Sequence, residues 1–147
     1  MSANLNVPSA YTAAYNPAYN ATVLLVGRVL LALLFVYFGY LKLMSFGGTV
    51  GYFTKWEFPM PQVAAVLAVI FELGGGILLL IGWKTRWAAW ALALYVVIAT
   101  AVAHRFWTYE AAQVFNQTSH FFKNVSIIGG LLCIAAMGPG RYSVDKT

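Results

Sequence analysis

One acidic residue in the middle of an uninterrupted apolar run sets the terms for the rest of this chain. Residues 61–83 read PQVAAVLAVIFELGGGILLLIGW, with Glu72 at their centre. A helix needs about 20 apolar residues to cross the hydrocarbon of a bilayer at 1.5 Å per residue. The run is therefore long enough to span, and Glu72 is expected roughly 15 Å from either surface. An acid at that depth costs about 2.5 to 3.5 kcal/mol on insertion scales, so it has to face protein or water and be protonated, hydrogen-bonded or paired. Steps of four connect Ala64, Ala68, Glu72 and Gly76 in a stripe of small residues that admits another backbone, while Leu67, Phe71 and Leu78 fall on other faces. Glu72 is expected to point into a helix bundle.

Of the 147 residues 61% are hydrophobic and 9% charged. A soluble domain carries about 25% charged residues; here there are too few to coat a surface, and those present stand at the ends of apolar runs. The expectation is an all-α integral membrane protein, with four transmembrane helices at about 21–44, 61–83, 87–103 and 121–137 forming one up-down antiparallel bundle over residues 21–141. The formal charge of +5 is spread singly over helix ends and forms no stripe, which excludes a nucleic-acid footprint. Cys133 is the only cysteine, so neither an intrachain disulfide nor a Cys-x-x-Cys redox pair exists. It reads as a small packing residue. No metal site is expected. The first basic residue, Arg28, sits inside the first apolar run rather than ahead of it and no A-x-A-type site follows, so that run is expected to be retained.

Residues 1–20 carry no charge and contain Pro8 and Pro17, and are expected to form an extended arm anchored by Leu5, Tyr11, Tyr15 and Tyr19. In the first span, Arg28, Ala32, Phe35, Gly39 and Lys42 share one stripe, which is taken as the bundle-facing side; taken alone, both cations read as snorkelling to the headgroups. Residues 45–60 join a Gly-rich turn to five aromatic rings around Lys55 and Glu57, an interfacial composition. Lys84-Thr85-Arg86 makes a tight turn between antiparallel neighbours. The third span places Trp90, Ala93, Val97, Thr100 and His104 on one stripe. Residues 105–120 form the largest polar loop, with a short interfacial helix. Lys123 and Asn124 open the last span, and residues 141–147 form a short exposed tail.

Four spans bring both termini to the side of the Lys84-Thr85-Arg86 turn, and the basic residues there, Lys84, Arg86, Arg141 and Lys146, argue for cytoplasmic termini. Lys42, His104, Arg105, Lys123 and Asn124 then gather at the opposite mouth, above Glu72. Such a pocket suits a small polar or quinone-like ligand or a proton; the alternative is an ion-pair network that fixes helix register. Lys42 is the first candidate to pair with Glu72, with Lys123 and Arg28 as rivals.

The order of these residues resembles the DoxX family of four-span bacterial membrane proteins, from about Leu24 to Asp145. The resemblance is carried by Arg28, Gly39-Tyr40-Leu41-Lys42-Leu43, Glu72-Leu73-Gly74-Gly75 and Lys84-Thr85-Arg86. It continues in His104 with Phe106-Trp107, Phe122-Lys123-Asn124, Gly129-Gly130 and the closing Gly138-Pro139-Gly140-Arg141-Tyr142-Ser143. Tyr37 and Phe38 make the approach to Gly39 bulkier than is usual there. The resemblance implies a bacterial inner-membrane protein and a subunit of a membrane redox complex that meets quinone or a small sulfur or thiol substrate. On that reading Glu72 and His104 are the catalytic candidates, Lys42, Lys123, Asn124 and Arg105 the substrate-binding ones, and Arg28 a structural polar residue. No covalently bound cofactor is expected. The partners are the lipid bilayer and either further copies or other subunits. A transporter or proton-path component and an assembly subunit without catalysis are the competing functions.

Overall fold

The computed structural model describes residues 17–145, with side chains from Asn20 onward. The elements are α1 (Pro17–Met44), α2 (Phe46–Lys55), α3 (Pro61–Val69), a π-helical turn (Ile70–Gly74), α4 (Gly75–Ile81), α5 (Thr85–Ala103), a 3₁₀ turn (Phe106–Thr108) and α6 (Ala111–Met137). Four membrane-length spans result, Asn20–Met44, Pro61–Ile81, Thr85–Thr108 and Ala111–Met137. They form the expected all-helical up-down bundle, with α3 and α4 as two halves of one span. Its core is narrow: Ala32, Phe35, Leu79, Ala89, Leu92, Ala93, Val96, Leu131, Ile134 and Ala135 pack together. Outside it, Leu30, Leu94, Ile98 and Trp87 are more than half exposed, a surface that only a lipid solvent covers at no cost.

Several boundaries depart from the sequence reading. The first helix begins at Pro17, a residue whose fixed φ suits a first helical turn, rather than after Asn20; the rest of the expected arm lies outside the described residues. The Gly-rich turn expected after Met44 is instead helix α2. Only Ser45 interrupts it, and the amide of Thr49 still donates to the Ser45 carbonyl at 2.9 Å. Thr49 is buried, and its hydroxyl donates to the carbonyls of Lys42 and Ser45, both at 3.1 Å, closing the end of α1. The polar loop is shorter than expected, since α6 already starts at Ala111.

The tail is not free. The Asp145 carboxylate accepts the amides of Lys84 and Thr85 at 2.9 Å each and the Thr85 hydroxyl at 3.2 Å, capping the start of α5. Those backbone hydrogen bonds hold its carboxyl below the usual carboxylate range. The Val144 and Asp145 amides donate to the carbonyls of Ile81 and Gly82. Arg28, 2% exposed, donates from Nη1 to the Pro139 carbonyl at 2.6 Å and from Nη2 to the Tyr142 carbonyl. It neither snorkels nor competes for Glu72. Gly82 ends α4 with φ 73°, and a β-carbon there would stand 2.5 Å from Arg28 Nη1, so both the turn and the close approach require glycine. This end, holding the tail and the Lys84 turn, is called the tail end below; the other, holding α2 and the 3₁₀ turn, is the loop end.

Candidate functional site

Two glycines bring α1 onto the span that carries Glu72. A β-carbon on Gly39 would stand 2.5 Å from the backbone nitrogen of Leu73, and one on Gly76 would stand 2.9 Å from the backbone nitrogen of Val36. These two contacts fix an antiparallel register in which Lys42 comes level with Ile70, within a turn of Glu72. Lys42, expected at the mouth above Glu72, therefore lies at nearly the same depth as the carboxylate. Beyond Met44, α2 continues alongside α3.

Glu72 sits inside the π-helical turn and is 8% exposed. Single π turns within α-helices are rare and are frequent at functional sites. Lys42 Nζ donates to Oε2 at 2.6 Å and the Tyr95 hydroxyl donates to Oε1 at 2.6 Å. Each carboxylate oxygen thus has one donor at the short distance of a charge-assisted hydrogen bond. The Tyr95 ring stacks on Phe71, with centroids 5.9 Å apart and planes within 7°. Lys42 Nζ lies 5.8 Å from the Phe38 centroid. The Lys42 side chain keeps 30% of its exposure against 11% for Glu72, so the pair is reached past the lysine. Tyr37 and Phe38 are both about half exposed, so their bulk faces outward and leaves the Gly39 contact open.

An aromatic cap closes the loop end. Trp56, which follows α2, packs edge-on against Tyr109 after the 3₁₀ turn, with Tyr52 beside Trp56 and Phe53. Burial in this cap, with Tyr109 nearby, raises the Tyr52 hydroxyl above its ordinary value.

The remaining candidates form a second cluster between α5 and α6 rather than joining Glu72. His104 Nδ1 is 2.8 Å from Gln117 Oε1, and its ring stacks on His120 with centroids 5.0 Å apart. The Asn124 amide donates to the Thr100 hydroxyl at 2.8 Å, and that hydroxyl donates to the Val96 carbonyl at 2.6 Å. Lys123 and Arg105 are exposed. Among the described residues no hydrogen bond or ion pair links this cluster to Lys42, Glu72 or Tyr95. Within α5, Ala93 and Thr100 face inward as expected, but Trp90 and Val97 face out, at 58% and 47% exposure; the inward face runs through Ala89, Leu92 and Val96. Cys133 is exposed on the outer side of α6 and does not pack in the core.

Tyr95 escaped the sequence reading, yet a signal was there. Glu72 lies twelve residues before Lys84 and Tyr95 eleven after it, so two helices folded back at that turn bring them to one depth. The polar composition of residues 105–120 points to a loop and so conceals His120 and Gln117, which stand on α6.

Comparison with known proteins agrees with this architecture. A family model described as DoxX matches residues 23–105, which include Lys42, Glu72, Tyr95 and His104. The chain is 36% identical over 129 residues to inner membrane protein YphA of Escherichia coli, covering 88% of this chain and 92% of that protein. It is 33% identical over 122 residues to inner membrane protein YqjF of the same organism, covering 83% and 88%. A third likeness is to ER-derived vesicles protein ERV29 of Saccharomyces cerevisiae, 31% identical over 84% of this chain and 33% of that one. No solved structure matches. Four membrane-length helices, the family match over more than half the chain and near full-length likeness to two inner-membrane proteins together make this a multi-pass inner-membrane protein that belongs to the DoxX family.

Proposed function

We propose that the chain is a subunit of a membrane redox complex and that its Lys42, Glu72 and Tyr95 cluster binds the headgroup of a quinone. The observation that carries this reading is a carboxylate within the bundle bonded on one oxygen to a lysine and on the other to a tyrosine. Such a donor set fits a quinone: Lys42 and the Tyr95 hydroxyl can each turn a proton toward a ligand oxygen while Glu72 holds the charge that balances them. Phe71 and Phe38 offer ring faces beside the donors. Because Lys42 and Phe38 are partly exposed on the lipid side of α1, a lipophilic ligand reaches the cluster from within the bilayer. A partner subunit supplies two electrons, and two protons passed through Lys42 and Tyr95 complete the conversion of quinone to quinol. His104, stacked on His120 at the loop end, is the candidate for exchanging protons with water. Asn124 holds Thr100 within the second cluster, while Lys123 and Arg105 contribute charge at the mouth. The tail end faces the cytoplasm on this reading, as its basic residues argue; reporter fusions at Thr147 active only in the periplasm would overturn that orientation.

A second reading, in which the cluster holds a ligand or a partner chain with no redox step, is favoured by the likeness to one third of ERV29, whose name attaches it to vesicles. Quinone content separates the two. Protein extracted in mild detergent is expected to carry quinone that is extractable into organic solvent, in a ratio that falls at least tenfold in Glu72→Gln and in Tyr95→Phe while the fold persists by circular dichroism. Quinone at the level of bulk lipid in the unaltered protein would leave the second reading standing.

A further inference from the structure

We propose that the groove between α5 and α6 takes an acyl chain of an anionic phospholipid whose headgroup is held by Lys84, Arg86 and Arg141. The groove measures about 570 Å³ and is walled by Trp87, Trp90, Leu94 and Val97 of α5 and by Ile128 and Leu132 of α6. That size falls in the range of about 300 to 1,000 Å³ typical of small-molecule sites. From Trp87 to Val97 it follows α5 for roughly 15 Å, from the tail end to about half the depth of the hydrocarbon. It lies on the lipid side of the bundle, with Trp87 and Trp90 at 77% and 58% exposure.

Charge selects the occupant. Arg86 precedes Trp87, and its guanidinium reaches the opposite wall, where a β-carbon on Gly138 at the end of α6 would stand 3.3 Å from Nη2. Arg141 follows three residues later, on a stretch of tail whose neighbours Gly140 and Tyr142 lie against Leu24 and Arg28 of α1, and Lys84 opens α5, so that Arg86 is the cation at the groove itself and the other two stand at the same end. All three are exposed, and among the described residues none of their side chains makes a hydrogen bond or ion pair. Asp145 is the only acid at this end among the described residues; its oxygens are taken by the amides of Lys84 and Thr85 and by the Thr85 hydroxyl, and its charge acts on Lys84, which leaves Arg86 and Arg141 as the cations without a counter-charge there. An apolar groove with indoles at headgroup level and unpaired cations at its mouth complements a lipid with one negative charge and a long tail. A zwitterionic lipid would leave those cations unmatched.

The test uses the full chain in vesicles, with Trp56, Trp83 and Trp107 replaced by Phe so that fluorescence reports only Trp87 and Trp90. Phosphatidylcholine vesicles are doped with dibrominated phosphatidylglycerol or with dibrominated phosphatidylcholine, and quenching is followed against mole fraction. The anionic quencher is expected to act at a mole fraction at least fivefold lower. Arg86→Gln or Arg141→Gln should each reduce that preference about fivefold, the equivalent of about 1 kcal/mol per basic side chain at a membrane surface. Ala91→Phe, which fills the groove from α5, should abolish the preference with all three cations in place. Equal quenching by the two lipids, a preference that survives loss of both arginines, or one indifferent to Ala91→Phe overturns the proposal. So does the absence of quenching by either lipid, which would mean that a second copy of the chain seals the groove.

Discussion

Glu72 accepts one hydrogen bond on each oxygen, so its two partners can be removed separately. Lys42→Met leaves a carboxylate in the bundle without its counter-charge. Its cost is expected toward the lower end of the roughly 3 to 5 kcal/mol typical of breaking a buried pair, since 30% of the lysine side chain remains accessible. Tyr95→Phe should cost roughly 1.5 to 3 kcal/mol, the range for a hydrogen bond to a charged group. The double variant Lys42→Met with Glu72→Gln should lose less than the sum of the single losses; strict additivity of thermal stability in detergent would mean that the pair is not coupled. At this scale the carboxylate and its lysine were legible in the sequence, because an acid within an apolar span demands a partner whatever the fold. The tyrosine was not, since a hydroxyl on an aromatic ring among Leu, Val and Ala looks like any other core residue until the two helices are set side by side.

What brings the pair together belongs to the helices that carry it. Gly39 rests on backbone at Leu73, so an added methyl group meets atoms that no rotamer change can move. Gly39→Ala is expected to destabilise by about 1 to 3 kcal/mol, as overpacking does, and to weaken Lys42–Glu72 coupling in the same double-mutant cycle. Gly27 and Gly129, with nothing within 4 Å of an added β-carbon, serve as controls in which Ala should be neutral or stabilising. Thermal scans of the three variants that rank alike would remove the close contact from the account. The spans themselves were readable from length and hydropathy. Helix α2 was not, because Gly47, Gly48 and Gly51 are poor helix formers by local preference and packing against α3 overrides that preference. The split of the histidines from Glu72 was hidden for a related reason: periodicity says which face a residue takes on its helix, but not which neighbouring helix that face meets.

For the whole molecule, the tail is the closing piece. Asp145 carries a lowered pKa, so it adds stability while it is charged: the contribution is in full force above the ordinary carboxylate value of 3.8 and is lost as pH falls through its lower folded value. Asp145→Asn is therefore expected to lower the melting temperature at neutral pH, with the gap to the unaltered protein closing on acidification below pH 4. A gap that stays constant with pH would mean that the carboxylate charge plays no part in the cap. The sequence reads as an exposed tail because the seven residues after a Gly-Pro-Gly break carry no periodicity; apart from the Asp145 carboxylate, their hydrogen bonds to the bundle run, among the described residues, through the Tyr142 carbonyl and the Val144 and Asp145 amides, backbone groups that every sequence has. Arg28 stands 111 residues ahead of the Pro139 carbonyl it binds. At synthesis rates of about 5 to 20 residues per second, the first helix waits roughly 5 to 20 seconds in the membrane before its guanidinium can find that partner. Until then the cation has only water and headgroups to answer it, although Gly39 and Gly76 already bring the second span against the first helix. The tail end of the first helix is thus closed only after its register against the second span is set.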